Sequence, residues 1–158
     1  MDAAEITAFL DEIASKVTEY MKIEEASPEG ARIRMLAAPE QLRPGGIVSG
    51  PSLMTLADFA VWVPVLAAIG PEPYTTTVNL NIHFLRRVPP GDVIAETRLL
   101  KVGKRLATGD VVMYADGDPD PVAQATVTYT IPSVRWTGGD APRWGESGGE
   151  GGHPNASM

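Results

Sequence analysis

The sequence predicts an α+β fold in which a curled antiparallel sheet wraps a central helix. Three observations carry this. Residues 51–69 read as a helix that is apolar on nearly every face (Leu53, Met54, Leu56, Ala57, Phe59, Ala60, Val61, Trp62, Val63), the pattern of a helix enclosed by other structure. From residue 75 to residue 131 the hydrophobic pattern switches to period two and is cut by short turns into four strands, a sheet with one face in need of an apolar cover. Ahead of both, Ile6, Phe9, Leu10, Ile13, Val17 and Tyr20 recur at spacings of three and four, so residues 4–21 form an amphipathic helix that lies against the body of the domain.

Each element has its own signals. After the first helix, strands are expected at about 22–26 and 30–37, joined as a hairpin by the turn-like Ser27-Pro28-Glu29-Gly30. The central helix starts where Ser49 and Gly50 can cap and Pro51 sits near the first helical position, its missing N–H costing nothing there. Pro64 is expected to kink this helix after Ala60 or to end its regular part, and Gly70-Pro71 stops it. The strand at 75–86 alternates Val78, Leu80, Ile82 and Phe84 on one face with Thr77, Asn79, Asn81 and His83 on the other. Turns at 88–92, 102–105 and 116–121 then separate strands at 92–102, 106–115 and 122–131. Four consecutive strands with short links read as a meander, each beside the next. Residues 1–137 form one domain, and 138–158, with seven glycines in twenty-one residues and almost nothing to bury, form a disordered tail.

Composition narrows the function. A formal net charge of −7 and a pI near 4.8 exclude the basic footprint of a nucleic-acid binder. The chain has no cysteine, which removes disulfides, thiolate metal sites and thiol nucleophiles. Its N-terminus begins with acids and helical spacing rather than a basic segment and an apolar run, so no signal peptide is expected. No membrane span is expected either, and the expected location is the cytoplasm. Against the acidic sum, Arg86, Arg87, Lys101, Lys104 and Arg105 place five of the thirteen basic residues within twenty positions, at strand ends.

One carboxylate stands out. Asp58 is the only charge between Arg43 and Glu72, inside the helix that should be most buried, with only Ser52 and Thr55 as polar company. A buried carboxylate costs several kcal/mol unless it is paired or protonated, so this position points to a site. The start of the same helix adds a second element: free amides of the first turn and the positive end of the helix dipole suit a developing oxyanion, and Gly50, without a side chain, lets a ligand approach the backbone.

Other constellations fall away on their spacing. The run Asp116-Gly117-Asp118-Pro119-Asp120-Pro121 opens like a calcium loop, but Pro121 stands where that loop needs glycine and Val127 where it needs glutamate. His83 is a lone histidine on a strand, so no metal site is expected. No G-x-S-x-G elbow accompanies it for a triad, and Gly45, Gly46 and Gly50 lack dinucleotide-binding spacing.

With these residues in view, the sequence resembles the hotdog-fold acyl-CoA thioesterases of the phenylacetate-pathway type. The likeness spans about 30–131 and rests on four stretches in order: Val48-Ser49-Gly50-Pro51 at the helix start, Leu56-Ala57-Asp58, the strand from Thr77 to Arg86, and the hairpin from Val102 to Ala107. Here Ser49 stands at the family's usual His, Pro51 at its second Gly and Arg43 at a frequent Asn. The resemblance implies hydrolysis of an acyl-CoA, with coenzyme A as part of the substrate and no other cofactor. It implies Asp58 as general base or nucleophile, the Gly50 amide as oxyanion donor and Thr77 as the residue positioning water. Ser49, Pro51 and Asn81 are expected to line the substrate, and Arg86, Arg87, Lys104 and Arg105 to meet the polyanionic coenzyme. A non-catalytic acyl-CoA sensor or carrier is the alternative. A hydratase of the same fold is disfavoured because Ser49 is not a His.

The resemblance also implies a homodimer or a dimer of dimers. Gly50 and Asp58 lie eight residues apart, about 12 Å along one helix. A single chain cannot easily bring both to one carbonyl, so the site is expected to form between two chains.

Overall fold

In the computed structural model, which describes residues 1–139, the chain folds in the order the patterns predict. Helix α1 (Ala3–Thr18) is opened by a reciprocal cap between Asp2 and Glu5, bends at Ala14, and buries Ile6, Phe9, Leu10 and Ile13. It ends three residues short of the expected 21, because Met21 is drawn into strand β1 (Met21–Ser27), opposite Met35 of β2 (Gly30–Met35). A short ribbon, β3 (Leu42–Arg43) with β4 (Ile47–Val48), leads into helix α2 (Gly50–Ile69). Strands β5 (Thr76–Phe84), β6 (Val93–Val102), β7 (Leu106–Ala115) and β8 (Pro121–Thr130) follow.

Helix α2 is the axis of the core. Leu53, Leu56, Ala57, Phe59, Ala60, Val61, Val63, Val65 and Leu66 are all buried, too many faces for any one-sided contact. Strands β1, β2 and β5–β8 all touch it, and α1 closes the remaining side. Gly109 of β7 lets the helix lie this close, since a Cβ there would stand 2.9 Å from Val61 Cγ1. Pro64 does not end the helix, which runs on to Ile69. By length and hydropathy alone α2 would pass for a membrane span, but it is the wrapped centre of the fold.

The meander is shorter than expected. The sheet order is β1-β2-β6-β7-β8-β5, so β6, β7 and β8 form the meander while β5 crosses to the far edge and pairs antiparallel with β8. The link from Phe84 to Val93 explains this: it includes Pro89 and Pro90, which lack amide donors and fix φ, and no tight hairpin can be built from it.

The alternation of β5 also breaks. Thr77 lies opposite Tyr129 and Asn79 opposite Thr128, which leaves Val78 as the extra residue of a β-bulge. The bulge transfers Thr77 to the helix side with Leu80 and Ile82, and turns Val78 outward, 53% exposed. Asn79, Asn81 and His83 stay on the face away from the helix. Thr77 and Asn81, which the plain alternation puts on one face, are therefore on opposite faces.

Beyond β8 the chain returns over the end of α2. Glu72, fully buried, accepts hydrogen bonds from Arg135 Nε (3.1 Å) and the Trp136 amide (2.9 Å) on one oxygen and from the Tyr74 amide (3.3 Å) on the other. Arg135 also donates to the Ile69 carbonyl at 2.6 Å, and the Trp136 ring packs on Phe9 at 5.9 Å. From residue 140 onward the expected tail lies outside the described residues.

Candidate active site

Asp58 lies in the third turn of α2, on the side that faces the paired ends of β5 and β8. Its Oδ1 accepts from Thr77 Oγ1 at 2.7 Å and from the Tyr129 hydroxyl at 2.7 Å. The same hydroxyl lies 2.9 Å from the Asp58 carbonyl oxygen. The register between β5 and β8 makes this possible: Thr77 and Tyr129 are cross-strand partners, and both point inward only because the bulge at Val78 has turned Thr77 over. Tyr129 is 3% exposed, and its burial, with the Asp58 charge beside it, pushes the phenol well above its ordinary range. It stays protonated and remains a donor. Asp58 Oδ2 has no donor among the described residues and is not sealed from the surface.

Residues at the start of α2 are arranged for capping. Ser49 is the N-cap: its hydroxyl accepts from the Ser52 amide at 3.2 Å and lies 2.9 Å from the Ser52 hydroxyl, while its carbonyl accepts from the Leu53 amide. Pro51 is exposed in the first turn, and its carbonyl accepts from Thr55 Oγ1. Among the described residues no acceptor stands within reach of the Gly50 amide. The Phe84 ring lies against Gly50, 3.3 Å from where a Cβ would be. The amide end of the helix therefore sits at the last residue of β5, and Asp58 beside its second.

The remaining expected residues are dispersed. Arg43 is exposed in the β3–β4 ribbon, and Asn81 is exposed on the outer face of the sheet. Arg86 is engaged at the β7–β8 turn, where it donates to Asp118 Oδ2 (3.0 Å) and the Asp120 carbonyl (2.6 Å). Arg87 is exposed nearby. Lys104 and Arg105 are exposed in the β6–β7 turn, the length of β7 away, roughly 30 Å. Residues close in sequence thus stand at opposite ends of the sheet, because each antiparallel strand reverses the direction of the chain. A single protomer holds no joint patch of the four.

A recess of about 610 Å³ runs between α1, the end of β2 and the first turns of α2, lined by Tyr20, Met35, Gln41, Ser52 and Thr55 among others. Asp58, Thr77 and Gly50 are not among its walls. Among the described residues, no three His, Asp or Glu side chains converge as metal ligands.

Tyr129 is the participant that the sequence reading missed. Its signal is faint: a large polar-tipped side chain on the inward phase of a strand otherwise lined by Ala123, Ala125 and Val127.

Comparison with known proteins agrees with this fold. The sequence model of the thioesterase superfamily matches residues 45–122, a span that contains Gly50, Asp58 and Thr77. A protein of Thermoplasma acidophilum named as an esterase by assignment is 30% identical over 90 residues, which are 57% of this chain and 67% of that protein. A Silicibacter crystal structure, assigned as a thioesterase, is 36% identical, covers 84% of this chain and 92% of its own, and superposes with a TM-score of 0.76. A Ralstonia eutropha structure, assigned as a thioesterase related to phenylacetic acid degradation, shares the fold at 22% identity, with a TM-score of 0.71 over 81% of this chain and 98% of its own.

Proposed function

Because the chain belongs to the thioesterase superfamily and has its hotdog fold, we propose that it hydrolyses an acyl-CoA thioester to free acid and coenzyme A, in sites shared between two copies of the chain. The observation that carries this reading is the carboxylate of Asp58, set in an apolar helix with one oxygen held and the other open. An open carboxylate oxygen can take a proton from water as that water attacks the thioester carbon and the coenzyme A thiolate leaves with a proton. Or it can attack the carbon itself, expel the thiolate and form a mixed anhydride that water then hydrolyses to the free acid. In either route the carbonyl oxygen gains negative charge, and the Gly50 amide at the positive end of α2 supplies the donor for it. Both groups must stand about 3 Å from the reacting atoms, yet they sit at opposite ends of the β5 contact with α2.

A two-fold axis removes the conflict. Strand β5 is an edge of the sheet, nine residues long, with Val78 and Phe84 half exposed, the kind of edge that pairs with another chain. Antiparallel pairing of β5 with its copy about its middle residue sets the Phe84 end of one chain beside the Thr76 end of the other. Gly50 goes with the first and Asp58 with the second. The same operation brings Arg87 of one chain toward Lys104 and Arg105 of its partner, a shared basic rim suited to the phosphates of coenzyme A. A dimer then carries two equivalent sites.

The competing reading is a protein that binds acyl-CoA without cleaving it. Purified protein, offered a panel of acyl-CoA thioesters of varied chain length and aryl content, is expected to release free thiol from at least one in catalytic amounts. Saturable binding of the panel with no thiol release would replace the enzyme with the sensor.

A further inference from the structure

We infer that Tyr129, together with Thr77, is a positioning device that confines the chemistry of Asp58 to a single oxygen, Oδ2. This rests on the reading of Asp58 as the reacting carboxylate. Two hydroxyls converge on Oδ1 from adjacent strands, each at 2.7 Å, and nothing in the described chain donates to Oδ2. The Tyr129 hydroxyl has one proton and two nearby acceptors. The Asp58 carbonyl is a helix carbonyl, already used by the amide four residues on, whereas the carboxylate is charged and draws the stronger hydrogen bond. The proton therefore goes to Oδ1. Thr77 has its own single proton on the same atom.

The consequence is geometric. A carboxylate on a free side chain turns about its last bond and presents either oxygen in a broad range of directions. Here a turn of that kind breaks two charge-assisted bonds at once, so the plane of the group is fixed by two rigid strands. Oδ1 is filled and sheltered beneath Tyr129, which is itself 3% exposed. Oδ2 is left as the one oxygen able to meet water or the thioester carbon, and its direction is set before substrate arrives. Preorganisation of this kind contributes to turnover and not to ground-state affinity, since the substrate touches neither hydroxyl.

The test compares Tyr129→Phe, Thr77→Val and Thr77→Ser with Asp58→Asn and the parent, all as full chains, in a thiol-release assay with the best acyl-CoA of the panel, after thermal unfolding has shown which variants are folded. Tyr129→Phe and Thr77→Val each remove one donor at nearly constant shape. Each is expected to lower kcat by roughly ten- to a hundredfold, with KM within about twofold of the parent. Thr77→Ser, which keeps the hydroxyl, is expected to restore most of the turnover lost in Thr77→Val. A structural role alone would lower the unfolding temperature without this split between kcat and KM and without rescue by serine. Parental kcat in folded Tyr129→Phe and Thr77→Val, beside an inactive Asp58→Asn, overturns the inference and leaves the function standing. Full activity in Asp58→Asn overturns the reading of Asp58 as the reacting carboxylate, and the inference with it, while thiol release by the parent still stands as the test of the function. Should Tyr129→Phe fail to fold, the contrast between Thr77→Val and Thr77→Ser decides the question alone.

Discussion

Two carboxylates bracket the second half of helix α2, and they are held in opposite ways. Glu72, just past its end, is fully buried and has donors on both oxygens, one of them the cation of Arg135. Asp58, in its third turn, is half buried and has, among the described residues, neutral donors only, both of them on the same oxygen. A buried charge with donors on both oxygens, one of them a cation, is a tie in the structure, because any other partner would have to compete with existing bonds. A charge with one oxygen open and no cation beside it among the described residues is what the proposed hydrolysis requires of Asp58. Both are carboxylates, and burial separates them only in part; the distribution of donors separates them fully.

The largest effect should come from substituting each carboxylate by its amide. Asp58→Asn is expected to lower kcat about a thousandfold or more while leaving stability within about 1 kcal/mol, since charge is lost at nearly constant shape. Glu72→Gln is expected to do the reverse: activity per folded molecule stays near the parent and the unfolding midpoint falls. Glu72→Ala goes further and strands the Trp136 amide and Arg135. Breaking a buried pair typically costs about 3–5 kcal/mol, but Arg135 is 41% exposed and can be hydrated, so a loss of about 2 kcal/mol is expected in chemical denaturation. Loss of turnover in folded Glu72→Gln, or unfolding of Asp58→Asn, would break the comparison.

The same contrast runs through the cations. Arg86 is tied to Asp118 and the Asp120 carbonyl, whereas Lys104 and Arg105 are exposed and have no ion pair among the described residues. Replacing Lys104 and Arg105 together by Ala is expected to raise KM for acyl-CoA about fivefold, with kcat little changed, for exposed charges each worth up to about 1 kcal/mol. Added salt should erode the difference. Arg86→Ala should act on stability instead, and an equal KM effect from Arg86 would return it to the substrate rim.

The smallest effect concerns Glu24. The Arg34 guanidinium, and after it Arg32, holds the Glu24 carboxyl below its ordinary range. A carboxyl that is more acidic in the folded state contributes stability at neutral pH that is lost as pH falls through its folded value. Glu24→Gln should therefore narrow the stability gap between pH 7 and pH 3 by a small amount, and leave the pH dependence of turnover as it was.

How far these features were legible in the sequence depends on the range of the interaction behind them. The three meander strands and the core helix are set by local alternation and by Gly and Pro at their ends, and they appear within a residue or so of the expected places. Asp58 was legible because a lone charge in an apolar helix conflicts with its surroundings. Its donors were not. Tyr129 is 71 positions away and reads as a core aromatic, and Thr77 reaches Asp58 only through a bulge that plain alternation cannot contain. Glu72, inside Gly70-Pro71-Glu72-Pro73, reads as a turn acid, since the arginine that meets it is 63 residues further on. Arg86 and Lys104 looked like one patch because they are near in sequence, and the reversal of strands put them apart.

The shared site can be tested by mixing chains. Asp58→Asn chains and Gly50→Val chains are each expected to be inactive alone, the first without its acid and the second with a side chain driven against Phe84 and the amide. If Asp58 of one chain works with Gly50 of the other, a mixed dimer has one site with both defects and one with neither. Co-refolding the two, isolating the mixed dimer by distinct tags and measuring thiol release should return about half of the parental activity per dimer. Mixed dimers that form and remain inactive would contradict the two-chain site.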